Sequence, residues 1–64
     1  MPSKLYETRK AKGYSQAELA KRAGITRVTV SNIETGKVKV VKSETLMKLA
    51  DALDTTVGSL FFGE

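Results

Sequence analysis

Residues 15–36 read SQAELAKRAGITRVTVSNIETG, and this stretch decides the fold. Ser15 is an N-cap residue, and Glu18 three positions on gives the pattern of a capping box. Tyr14 before the cap and Leu19 after it are placed to form a hydrophobic staple. Leu19, Ala20 and Ala23 then share one helical face. Gly24 ends that helix, because the left-handed residue just past a helix end costs least as glycine. Thr26 caps a second helix, with Ile25 and Val30 as its staple pair. Val30 and Ile33 point into a core, which leaves Arg27, Val28, Ser31 and Asn32 facing away from it. Gly36 ends this helix in the same way as Gly24 ends the first. The stretch therefore predicts two short helices joined by a tight turn, the second presenting an outward row.

Outward from this stretch the helical signals continue. Ser3 to about Lys12 reads as a helix ended by Gly13, with Leu5 and Thr8 able to face inward. After Gly36, KVKVVK alternates like a strand but has no evident partner in so small a chain. It reads as an extended connection, its valines covering the core and its lysines facing out. Ser43 caps a helix from Glu44 to about Leu53, on which Leu46, Leu49, Ala50 and Leu53 make a core stripe. Asp54-Thr55 breaks the pattern. Thr56 then caps a short helix from Val57 to Phe62, burying Val57, Leu60 and Phe61. The fold class expected is all-α, a bundle of five short helices, with residues 1–64 as one domain.

Bulk composition narrows the function. The 64 residues include no cysteine and no histidine, which removes disulfides, thiolate sites and the commonest metal ligand. No carboxylate cluster frames a general base, so an enzyme is not expected, and neither is a metal or cofactor. No apolar run approaches the roughly 20 residues of a membrane span, and no apolar segment of a signal peptide follows Met1-Pro2-Ser3, so the expected home is cytoplasmic. Net charge is +4 and unevenly placed. Residues 1–42 hold ten Lys and Arg against three carboxylates, a balance of +7, whereas residues 43–64 hold one against four, a balance of −3. A basic face is the electrostatic footprint of a polyanion binder.

Gln16, Ala20, Gly24, Ile25, Val30 and Ile33 fall where helix-turn-helix domains of the phage repressor and Cro type, the XRE-like family, place their framework residues. The resemblance extends to Arg9, to Glu34-Thr35-Gly36 and to LADAL at 49–53, nearly the whole chain. It implies a lambda-repressor-like bundle, an ion pair between Arg9 and Glu34, and double-stranded DNA as partner. It also implies a sequence-specific transcriptional regulator, a repressor bound as a dimer to a palindromic operator.

The residues say how such binding works. The N-terminal part of a recognition helix reads base edges in the major groove. Arg27 can donate two bonds to guanine, Val28 can pack on thymine methyl groups, and Ser31 and Asn32 lie one turn along the same face. Gln16, at the positive start of its helix, suits a phosphate, and the resemblance places a phosphate-contacting glutamine there. Thr35, Gly36 and Lys37 form an opposite clamp that Lys39 and Lys42 extend, and Thr26 and Thr29 are further phosphate contacts. Phe61 and Phe62 are candidates for a dimer interface. The alternative reading is an antitoxin or other protein-interaction module that uses the same fold and represses its own operon.

Overall fold

The cap chemistry written in the sequence is made in the folded chain. Ser15 Oγ accepts the Glu18 N–H at 3.0 Å, and Thr26 Oγ1 accepts that of Thr29 at 3.2 Å. Gly24 takes the left-handed conformation at φ 72°, and the N–H of Ile25 reaches back to Ala20 O at 3.0 Å. This closes α2 (Gln16–Ala23) and turns the chain directly into α3 (Arg27–Thr35). The structure, a computed structural model, describes residues 4–38 and 40–61. The remaining elements are α1 (Lys4–Lys12), α4 (Ser43–Ala52) and α5 (Val57–Phe61). The described residues contain no strand, so those of the KVKVVK segment among them link α3 to α4 without strand pairing. Ser3, Lys39 and Phe62 lie outside the described residues.

The helices enclose one core. Leu5, Leu19, Val30 and Leu49 are fully buried, Leu53 and Leu60 nearly so, and Ala20 and Ala50 fill the close approaches between them. Helix α2 packs on α3 and α4, α1 packs on α5 and α3, and α4 packs on α5. Tyr14 and Ile25, the two staple residues, lie partly buried against this core. Fully burying a side chain such as leucine or valine contributes about 1.5–3 kcal/mol, so each of these six is a substantial anchor for so short a chain.

Three expectations need correction. Ser43 is the first residue of α4, not its cap. Lys42 holds the extended cap conformation, and its carbonyl accepts the Leu46 N–H at 3.0 Å, with no side-chain cap bond. The connection also does not bury all its valines: Val41 packs on the core, but Val40 is 89% exposed and Val38 is also exposed. Neighbouring residues of an extended chain point to opposite sides, so burying Val41 turns Val40 out. Leu46, Val57 and Phe61 are half-buried rather than central.

At the end of α4 the break at Asp54-Thr55 has a specific form. Asp54 adopts φ 54°, its N–H bonds Asp51 O at 3.1 Å, and the Thr55 N–H bonds Ala50 O at 2.9 Å. This is the paired closure in which glycine is the usual left-handed residue. Thr56 Oγ1 then accepts the Ser59 N–H at 3.1 Å and starts α5 as expected.

Candidate nucleic-acid interface

Helix α3 is amphipathic in the required sense. Val30 is fully buried and Ile33 9% exposed, while Val28 is 67% exposed and Arg27 is exposed beside it. Ser31 and Asn32 are half-buried one turn further on. The four side chains expected to read bases therefore share the outer side of one helix, the first two standing furthest out. The Arg27 side chain makes no hydrogen bond or ion pair with the described residues. It lines a groove with Lys10, Ser15 and Gln16, where the end of α1 and the start of α2 meet the start of α3.

A buried ion pair fixes the angle of this helix. Arg9 Nε donates to Glu34 Oε2 at 2.7 Å and Nη2 donates to Oε1 at 3.1 Å, the two-pronged geometry that suits a guanidinium. Arg9 Nη1 also donates to the Tyr14 carbonyl at 2.7 Å. Arg9 is 6% exposed and Glu34 8%, so the pair ties the end of α1 to the end of α3 away from water. The Glu34 hydrogen bond holds the guanidinium above its ordinary pKa, against the opposite pull of burial, with the Glu34 charge adding to the rise. No buried polar side-chain atom among the described residues lacks a partner.

The phosphate-contact candidates are arranged differently from their order in the chain. Gln16 and Thr35 were expected on opposite sides of α3. The two line one groove together with Glu34 and Tyr6. Gln16 Nε2 donates to Glu34 Oε1 at 3.1 Å, a bond across 18 positions with no signal in the local sequence. The Thr35 hydroxyl donates to Ser31 O at 2.9 Å, and the Gly36 N–H to Ile33 O at 3.3 Å. Both donors are therefore engaged within the end of α3, and Lys37 beside them is exposed. Thr26 and Thr29 share a hydroxyl–hydroxyl bond of 2.8 Å that rigidifies the start of α3. Lys42 is exposed. Lys39 falls outside the described residues, as does Phe62, while Phe61 rests partly on the core.

No group of His, Cys, Asp and Glu among the described residues could hold a metal ion, and none of their helices is long and apolar enough to cross a membrane.

A helix-turn-helix family model matches residues 5–60. No curated protein matches the chain. Among solved structures, the N-terminal DNA binding domain of SinR from Bacillus subtilis is 36% identical, with a TM-score of 0.83 over 88% of this chain and 81% of that one. The crystal structure of SinR, the master regulator for biofilm formation, in complex with DNA is also 36% identical. Its TM-score is 0.84 over 88% of this chain and 89% of that one. A chain of the SinR protein/SinI protein complex gives 36% identity and a TM-score of 0.84 over 88% of this chain. Only 54% of that longer chain is covered, so the present sequence spans about half its length.

Proposed function

This chain belongs to the XRE-like helix-turn-helix family of DNA-binding transcription regulators, and from that premise we propose that it is a repressor that binds a palindromic operator as a dimer. The observation that carries the reading is the outer side of α3, where Arg27 and Val28 project while Val30 and Ile33 anchor the opposite side. Arg27, Val28, Ser31 and Asn32 read base edges in the major groove. Gln16 and Lys37 hold the phosphates that set the register, assisted by Thr26, Thr29, Thr35 and Lys39. No residue acts as a catalyst, and the site of action is the cytoplasm.

The dimer follows from reach. One domain of this size touches few base pairs, and two copies on half-sites about 34 Å apart double the contacts. Phe61 and Phe62 are the proposed self-association face. Selection of bound fragments from a random duplex pool tests the whole reading. The expected result is a palindromic consensus, bound more weakly as salt rises. Failure to retard any duplex at low salt overturns it.

One observation favours a second role alongside the first. A similar domain forms part of a longer chain in the complex of SinR with SinI, so a protein that carries this fold has a protein partner. A stoichiometric protein partner recovered by pull-down, with no DNA retarded, would replace the repressor reading by that of an interaction module such as an antitoxin.

A further inference from the structure

Glu34 is buried at the inner end of a hydrogen-bond chain whose outer end is Gln16. One of its oxygens, Oε1, accepts from Arg9 Nη2 at 3.1 Å and from Gln16 Nε2 at 3.1 Å. A carboxylate only accepts, so it dictates which end of the Gln16 amide turns inward: the NH2 group. One N–H of that group is committed to Glu34, and the second is directed elsewhere. Gln16 lines both the groove toward Arg27 and the groove toward Thr35. Its position is therefore central to the face proposed to meet the DNA backbone.

We propose that Glu34 is a positioning residue for DNA binding, which it serves by orienting the Gln16 amide so that its second N–H donates to a backbone phosphate. The inference rests on the DNA-binding reading given above. It explains why the carboxylate is accompanied by Arg9. A lone anion behind a phosphate contact repels the phosphate, whereas the forked guanidinium at 2.7 Å neutralises it and leaves only its accepting geometry. Arg9 thus has two consequences through one ion pair: it sets the angle of α3 and makes Glu34 compatible with a neighbouring phosphate.

The test is a double-mutant cycle on affinity for a selected duplex and a random one, using Gln16→Ala, Glu34→Gln and the pair together. A hydrogen bond to a charged group corresponds to about a tenfold or greater loss, so Gln16→Ala weakens binding to both duplexes by roughly that factor. Glu34→Gln removes the dictated orientation and produces a similar loss on both duplexes. The double variant then loses little more than either single one, and the preference for the selected duplex persists. Losses that multiply overturn the inference, as does a Glu34→Gln variant that loses the preference itself, since that marks a displaced helix.

If Glu34→Gln fails to fold, the Gln16 side-chain amide protons of the unaltered protein decide. One is expected to be shifted and protected in free protein, and the other to move when duplex is added. Both moving alike, or neither moving while duplex binds, overturns the positioning role alone. If the unaltered protein binds no duplex, the DNA reading itself fails, and this inference with it.

Discussion

Arg9 and Glu34, 25 positions apart, meet through two hydrogen bonds of 2.7 and 3.1 Å with both side chains almost wholly buried. They join the first helix to the far end of the third. Breaking a buried pair by removing one partner leaves a charge without compensation, which costs about 3–5 kcal/mol. Total stability for a small domain starts at about 5 kcal/mol. Arg9→Ala is therefore expected to leave the chain largely unfolded near 37 °C, as followed by thermal unfolding. Arg9→Met with Glu34→Leu removes both charges and is expected to recover much of the loss. A double variant no more stable than Arg9→Ala contradicts this account.

The roles proposed for Arg27 and Lys37 separate reading from holding. Arg27→Ala is expected to cost about 1–3 kcal/mol on the selected operator, with little change on random duplex. Lys37→Ala is expected to weaken both alike and to lower the slope of log affinity against log salt by about one. Titrations of both duplexes at three salt concentrations check the pair of outcomes. Equal loss on every duplex from both variants contradicts the assignment.

Asp54 stands in the left-handed conformation at the end of α4, where glycine is free of strain. It also places a negative charge at the negative end of a helix. Asp54→Gly is expected to raise stability by about 0.5–1 kcal/mol, read from urea unfolding midpoints at unchanged slope. A destabilised variant shows that Asp54 makes a compensating contact.

Thr26 holds the start of α3 by accepting the Thr29 N–H and by the hydroxyl bond between the two side chains. Thr26→Ala is expected to cost about 1 kcal/mol of stability through the lost cap. Val28→Ala, at an exposed position, is expected to leave stability within about 0.5 kcal/mol. Its loss is expected instead in affinity for half-sites rich in thymine, the contact proposed for it. The contrast separates a residue that builds the helix from one that uses it.

What was legible in the sequence was local. Ser15, Gly24, Thr26 and Gly36 announce helix ends because each acts on backbone groups within a few residues. The outward placement of Arg27 and Val28 followed from the helical repeat once Val30 and Ile33 were turned inward. The resemblance to repressor domains supplied the Arg9–Glu34 pair, which no spacing rule contains. The bond from Gln16 to Glu34 was not legible, because it depends on how two helices cross. That crossing also gathers Gln16 and Thr35 into one groove. The cap of α4 was misplaced by one residue because Ser43 offers the usual capping side chain while the backbone turns at Lys42. The exposure of Val40 is not legible either, because hydrophobicity alone does not say which of two adjacent valines an extended segment buries.

Ala20 is 4% exposed where α2 meets α3, and its carbonyl accepts the N–H of Ile25 at 3.0 Å. Only a methyl side chain fills this buried position on a helix that packs against α3, so the position is suited to act as the fulcrum of a lever. A bulkier side chain at the fulcrum is expected to tilt the far arm, α3, and with it the row from Arg27 to Asn32. Variants at this site are thus expected to abolish the proposed operator discrimination while leaving the identity of every proposed contacting side chain unchanged.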